Sequence, residues 1–335
     1  MINKKIKFLL TGGAGYIGTQ MSHLLNDLGH QVSIIDDLSN GTQKYLPKNI
    51  KFYKGNYGNK NLVKKVINEN KPDLVIHLAG NIIQYESYEK PLLYYENNLI
   101  NAFNFFRTCI ECKIKNFVIS STAAIYGNTK NKTIREIDLN NPYSPYSRTK
   151  LSIEWLLEDL SNSEKINYIF LRYFNVAGAD MQIRCGQLGK KSTHIVKIIV
   201  EYIQKKRNEI SIFGNNFQTY DGTCIRDYIH VHDLVDAHLK ASIYLLKNKK
   251  NEVFNLGSGR GYSVIEVIKK AEDIFNKKIK IKFTNRRNGD SARLVANISK
   301  AKKQLIWYPK YSDIENILKT ACLWEEKIKN SRDKE

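Results

Sequence analysis

Residues 6–18 read Ile-Lys-Phe-Leu-Leu-Thr-Gly-Gly-Ala-Gly-Tyr-Ile-Gly. An apolar run opens directly into glycines at 12, 15 and 18, and a helical stretch follows to about Leu28. In a strand–turn–helix unit this spacing has a physical purpose: the turn is tight, a pyrophosphate has to approach the backbone, and the helix has to pack close on its strand. A second apolar run ends at Asp36, about twenty residues on, where a carboxylate accepts from both hydroxyls of an adenosine ribose. The same carboxylate repels a 2′-phosphate, so the pattern predicts NAD in preference to NADP.

Working outward, runs rich in Ile, Val and Phe recur at 31–36, 50–54, 74–79, 116–121 and 168–174, separated by helical patterns. Continuously apolar strands alternating with helices imply a parallel sheet covered on both faces. The predicted fold class is therefore α/β, a Rossmann-type doubly wound parallel sheet. After Asn175 the pattern changes to a glycine-bearing loop, a helix over about 193–206, a strand over 210–213, and helices beginning near Asp233, Ser263 and Ser312. Ser263 and Glu266 form a capping box for the second of these. The expected organisation is a dinucleotide-binding domain over 1–175, followed over 176–335 by a smaller C-terminal α/β lobe that binds substrate. Segments at about 226–260 are expected to return to the first domain.

Composition narrows the function classes. With 335 residues, 42% hydrophobic and 26% charged, and only 6 prolines, the chain can bury a large core without staples. The net charge of +20 invites a polyanion-binding reading, but 41 of the 53 basic residues are lysines scattered singly and in pairs, which reads as solvated faces and not as a binding stripe. No dedicated nucleic-acid partner is expected. Five cysteines, at 109, 112, 185, 224 and 322, make an incomplete disulfide set, and no long apolar run is present. A cytoplasmic protein with no membrane association is expected, with Cys109 and Cys112 serving as packing in a helix. His230 and His232 have the spacing of metal ligands, but a strand end followed by an Asp233 N-cap accounts for them, so no metal is expected. The glycines of 257–261 read as the turn before the Ser263 helix.

Tyr146 and Lys150 stand four residues apart, on one face of a helix. A free phenol is a poor base at neutral pH, and a nearby cation favours its ionised form. The pair therefore reads as a proton acceptor for a hydroxyl, with Ser120-Ser-Thr122 at a strand end upstream supplying a hydroxyl to hold the reacting oxygen.

Seven motifs, spread from about Lys4 to Trp324, carry a resemblance. They are Thr-Gly-Gly-Ala-Gly-Tyr-Ile-Gly from 11, Pro-Leu-Leu-Tyr-Tyr-Glu-Asn-Asn from 91, Ser-Pro-Tyr-Ser-Arg-Thr-Lys from 144, Leu-Arg-Tyr-Phe-Asn from 171, Gly-Thr-Cys-Ile-Arg-Asp-Tyr-Ile-His-Val from 222, Asn-Leu-Gly-Ser-Gly from 255 and Arg-Arg-Asn-Gly-Asp from 286. Through them the chain resembles the extended short-chain dehydrogenase/reductases, and among these the UDP-glucose (UDP-galactose) 4-epimerases. The resemblance implies tightly held NAD, a transient 4-keto sugar, and inversion at C4 with no net redox. It also implies a homodimer formed through the helices at 91–112 and 149–160.

Carried over by motif, Tyr146 takes the C4 hydroxyl proton, Lys150 binds the nicotinamide ribose and keeps the phenol acidic, and Thr122 holds the reacting oxygen. Gly12, Gly15, Tyr16, Ile17, Gly18, Asp36 and Asn40 fall to NAD, with Ala79, Asn97 and Tyr173 along its path. Asn175, Arg226 and Arg287 would clamp the UDP diphosphate, since guanidinium forks match phosphate oxygens in pairs. Phe213 would lie near the uracil and Asp290 near its ribose. Asn56 replaces the usual Asp that accepts from the adenine amino group, 185–187 reads Cys-Gly-Gln without the usual acid, and residues 81–85 lie in a variable stretch beside the nicotinamide. Leu294 stands at the determinant of N-acetyl tolerance, leaving UDP-GlcNAc and UDP-GalNAc open, as UDP-pentoses and UDP-uronic acids are. A nucleotide-sugar dehydratase would need an acid directly after Thr122, where Ala123 and Ala124 stand. A non-catalytic NAD-binding protein would have no need of the intact Tyr146 and Lys150.

Overall fold

The computed structural model describes residues 5–129, 131–188, 193–287 and 289–332. Its strands are β1 (Lys7–Thr11), β2 (Gln31–Asp36), β3 (Lys51–Lys54), β4 (Leu74–His77), β5 (Asn116–Thr122), β6 (Asn167–Tyr173), β7 (Asn175–Ala177), β8 (Ile210–Phe213), β9 (Ile225–His230), β10 (Glu252–Leu256), β11 (Gly261–Ser263), β12 (Ile281–Thr284) and β13 (Arg293–Leu294). The helices are α1 (Tyr16–Asp27), α2 (Lys60–Asn70), α3 (Gln84–Glu89), α4 (Pro91–Tyr94), α5 (Asn101–Glu111), α6 (Pro145–Glu164), α7 (Ile195–Ile203), α8 (Val231–Asn248), α9 (Val264–Phe275), α10 (Ser299–Leu305) and α11 (Ile314–Arg332). A π-helical turn, Tyr95–Ile100, joins α4 to α5 as one rod.

Seven parallel strands form the main sheet in the order β10-β6-β5-β4-β1-β2-β3. Alternation along each strand builds two cores. Phe8, Leu10, Ile34, Ile76, Val118, Leu171 and Phe254 bury one face, whereas Leu9, Ile35, Val75, Phe117, Ile119 and Phe170 bury the other. This two-sided burial is why the strands read as unbroken apolar runs. Chain order reverses between β1 and β4, and in open α/β sheets the crevice outside that switch point is where ligands bind.

A smaller sheet, in which β9 lies between β11 and β13 and also pairs with β7, and the two-stranded β8–β12 pair form the second lobe. Val196, Ile199, Ile212, Tyr228, Val267 and Leu318 pack its core under α7, α9 and α11. Of the 226–260 stretch, α8 packs on α1, β5 and β6, and β10 takes the sheet edge beside β6. β9 stays in the small sheet. The capping box is present in both directions, Ser263 Oγ accepting from Glu266 N–H at 3.0 Å and Glu266 Oε2 from Ser263 N–H at 2.8 Å.

The helix expected near Asp233 begins earlier, and its cap is a different residue. His230 Nδ1 accepts from the His232 N–H at 3.0 Å, so His230 is the N-cap of α8. Asp233 accepts instead from the Lys310 and Tyr311 N–H groups and the Ser312 hydroxyl, tying the α10–α11 connection to α8. Cys109 is fully buried on α5 against the sheet and Cys112 caps its end, and all five cysteines are free thiols. Among the described residues no helix is long and apolar enough to cross a membrane.

Candidate active site

A cleft of about 1170 Å³ runs between the main sheet's switch point and the second lobe. Its floor at one end is the glycine turn. Gly12 has φ +69°, and a Cβ there would come within 2.7 Å of the Ala79 nitrogen, so the glycine lets β1 and β4 open side by side. At Gly18 a Cβ would meet the Gly12 carbonyl at 2.4 Å and the Gly13 Cα at 2.5 Å, which is what lets α1 close down on the turn. α1 begins with no side-chain cap and no acid in its first turn, leaving N–H groups and the positive end of the helix dipole for an anion. Asp36 accepts from Ala14 N–H at 3.0 Å and Leu38 N–H at 2.8 Å, which fixes its carboxylate at the cleft wall, and burial pushes its pKa up. An uncapped helix start, a turn without room for side chains and a carboxylate fixed at the cleft wall together fit a dinucleotide such as NAD.

The expected effect of Gly18→Ala follows from those distances. The contacts are backbone atoms that cannot swing aside, so the substitution costs about 1–3 kcal/mol by overpacking and displaces α1 from the phosphate path. Thermal unfolding with and without NAD checks this. An undiminished stabilisation by NAD in the variant would exclude the turn as the phosphate site.

Tyr146 and Lys150 lie on α6, whose start is set by Ser144 and Ser147 capping each other reciprocally with Pro145 at its first position. The Thr122 side chain, whose hydroxyl accepts from the Ala124 N–H at 3.2 Å, lines the cleft beside the Tyr146 phenol. Lys150 Nζ donates to the Ser120 carbonyl at 3.1 Å and sits behind the cleft wall, beside Gly80. In the protein alone, burial raises the Tyr146 pKa and the neighbouring Thr122 side chain pulls it back, while burial lowers Lys150 to about 8, partly offset by Glu154. Lys150 is thus directed at a backbone carbonyl, and desolvation of both groups outweighs their mutual effect in the protein alone.

Thr122, Tyr146, Tyr16, Ile17, Asn40, Asn97, Tyr173, Asn175, Phe213, Arg226, Arg287, Asp290 and Leu294 all line the same cleft. Asn56 does not. Its Oδ1 accepts from the Gly58 N–H at 2.7 Å, which fixes the side chain in a local turn. Tyr16 bridges the two units, its hydroxyl donating to the Gly178 carbonyl at 2.6 Å. Arg226 donates to the Ile225 and Ser291 carbonyls and faces Asp290 at 3.5 Å. The Arg287 guanidinium lies 3.5 Å from the Phe213 ring centroid, so that ring carries a cation on its face.

Residues 8–257 match the family described as the NAD dependent epimerase/dehydratase family. The chain belongs to this family. A UDP-glucose 4-epimerase of Azospirillum brasilense is 39% identical over 325 residues, 97% of this chain and 93% of that protein. Among solved structures, the UDP-glucose 4-epimerase from Bifidobacterium longum in complex with NAD+ and UDP superposes with a TM-score of 0.92 at 32% identity, over 97% of this chain and 99% of that one. The UDP-Glc/GlcNAc 4-epimerase from Campylobacter jejuni superposes at 0.83 with 38% identity, over 96% and 99%.

For a member of this family, two site residues went unnoticed in the sequence. The Asn98 amide accepts from the Asn81 N–H at 2.7 Å, donates to the Asn81 carbonyl at 2.9 Å and reaches Thr149 on α6 at 3.3 Å. The π-helical turn aims it there by shifting the rod's register, and such turns recur at functional sites. Tyr94 is fully buried and packs edge-on against Tyr146, with ring centroids 6.4 Å apart. Only the doubled Asn of 97–98, in a helical stretch otherwise rich in apolar residues, hints at this in the sequence.

Proposed function

We propose that the protein is an NAD-dependent isomerase that interconverts UDP-galactose and UDP-glucose by inverting the sugar at C4 through a transient ketone. The observation that carries this is the Tyr146 phenol and the Thr122 side chain lining the switch-point cleft together, with the glycine turn at one end and Arg226 and Arg287 at the other. When bound, NAD supplies the positive charge beside the phenol and the carrier that takes up the C4 hydride and returns it. Gly12, Gly15, Gly18, Asp36 and the start of α1 would hold it, with Asn40, Ala79, Asn97 and Tyr173 lining its path. Tyr146 accepts the C4 hydroxyl proton and later gives it back, and Thr122 keeps the reacting oxygen and the phenol in line. Lys150, which donates to the Ser120 carbonyl behind the cleft wall, would bind the nicotinamide-side ribose. Arg226, Arg287 and Asn175 anchor the diphosphate while the sugar turns, and Phe213 and Asp290 border the nucleoside.

The test is to incubate the purified protein with UDP-galactose and resolve the products. Conversion to UDP-glucose without net NADH is expected, and its absence refutes the reading. UDP-GalNAc is the second substrate to offer, because Leu294 faces the cleft from β13, where its size sets the room beside the sugar.

The proposal extends to a homodimer. The rod 91–111 and α6 expose Leu92, Ile100, Phe103 and Trp155, an apolar set on adjacent helices that water would otherwise cover. Sedimentation is expected to give twice the 38.7 kDa chain mass, and Trp155→Glu to give the monomer. A wild-type protein sedimenting as one chain would remove the dimer.

A further inference from the structure

Three contacts cross the cleft mouth from α3 to the second lobe. Gln84 Nε2 donates to the Gly289 carbonyl at 3.3 Å. The Tyr85 ring faces the Arg287 guanidinium, 5.7 Å from the ring centroid, so this cation lies between an aromatic ring of the main unit and Phe213 of the second lobe. Tyr88 reaches over Gly289, where a Cβ would come within 2.6 Å of the Tyr88 hydroxyl, and φ of +81° together with that approach keeps the position open to glycine alone. Tyr85 and Tyr88 are 39% and 38% exposed, so their rings add little to any core.

The same short helix is wired to the catalytic tyrosine. The Tyr94 hydroxyl accepts from the Ile83 N–H at 3.1 Å at the start of α3, and the Tyr94 ring packs on Tyr146. α3 is therefore linked through Tyr94 to Tyr146 on one side and meets Arg287 through Tyr85 on the other.

We propose that Gln84, Tyr85 and Tyr88 form a clasp that holds Arg287 and Gly289 over the diphosphate end of the cleft and retains the oxidised nucleotide sugar between its two hydride transfers. This rests on the epimerase reading above. The first transfer removes a hydride from C4 to the cofactor and a proton from the C4 hydroxyl to Tyr146, leaving a neutral ketone that must turn over to receive the hydride on its other face. The sugar ring cannot be gripped tightly while it turns, so retention falls to the nucleotide anchors and the mouth. If a ketone escapes, its hydride stays behind on the cofactor, one NADH for each sugar lost, and that protein molecule stops. A cation–π contact and a hydrogen bond spanning the two lobes oppose that escape.

The experiment compares wild type with Tyr85→Ala combined with Gln84→Ala, and with Tyr85→Phe. During turnover of UDP-galactose, the near-ultraviolet absorbance of enzyme-held NADH counts abortive events, and stopped-flow displacement measures UDP release. In the double variant the turnovers completed per reduced enzyme are expected to fall about tenfold and UDP release to quicken about tenfold, as the loss of one cation–π and one polar contact predicts. Tyr85→Phe, which keeps the ring, should match wild type. Wild-type values for both readouts in the double variant, or the Ala phenotype in Tyr85→Phe, overturn the clasp. A wild type that converts no UDP-sugar refutes the epimerase reading instead, and UDP release then still decides whether the contacts across the mouth retain a nucleotide.

Discussion

Tyr146→Phe is expected to lower epimerisation by about 10²–10⁴-fold while leaving UDP binding in place. The phenol is buried, its ring is held by Tyr94, and only its oxygen meets Thr122, so removing that oxygen deletes the proton acceptor and little packing. The measurement is kcat alongside a UDP titration. Loss of rate through KM alone would show that Tyr146 binds and does not catalyse. The pH profile carries a second expectation. The protein by itself holds the phenol above its usual value and the Lys150 ammonium near 8, so protonated Tyr146 and charged Lys150 are the forms present at neutral pH before NAD binds. NAD binding should then release protons from Tyr146, measurable as proton uptake by a weak buffer, and the release should vanish in Tyr146→Phe.

The second large effect is on stability. Glu154, one turn beyond Lys150, takes two hydrogen bonds from Arg172, at 3.1 Å to Nε and 2.6 Å to Nη2, and a third from the Ser121 hydroxyl. Arg172 also donates to the Tyr126 hydroxyl at 2.8 Å, which donates in turn to Asn255 Oδ1 at 2.8 Å. The ion pair is buried on both sides, 5% and 1% exposed. Glu154→Ala strands the guanidinium charge and is expected to cost about 3–5 kcal/mol, whereas replacing both partners with apolar residues of similar volume should cost much less. Thermal or denaturant unfolding of the two variants decides it. Equal losses would mean that packing and not the uncompensated charge sets the cost. Because the network joins Ser121, the neighbour of Thr122, to the helix of Tyr146 and Lys150, the single variant should also lose turnover at temperatures where it remains folded.

Legibility from sequence followed the range of the interactions. The glycine turn, Asp36 and the Tyr146/Lys150 spacing are local: strand–turn–helix geometry and a helix repeat of 3.6 place them whatever the rest of the chain does. The Ser263 capping box is local in the same sense, and its hydrogen bonds are those expected. Where two local solutions competed, the sequence pointed to the wrong one. Asp233 has the chemistry of an N-cap, but His230 reached the position first because β9 runs straight into α8, which freed Asp233 to collect three donors from beyond α10.

The sequence by itself determined the sheet, the glycine turn, the Tyr146/Lys150 spacing on one helix and the family. These follow from residue type and spacing within a segment. Tertiary structure alone decided how deeply Tyr146 and Lys150 are buried, and with it the direction in which desolvation moves their pKa values, because desolvation sums over every element packed around them. It alone also brought α3 against Arg287 and Gly289, some two hundred residues apart in the chain, since neither segment carries a pattern naming the other.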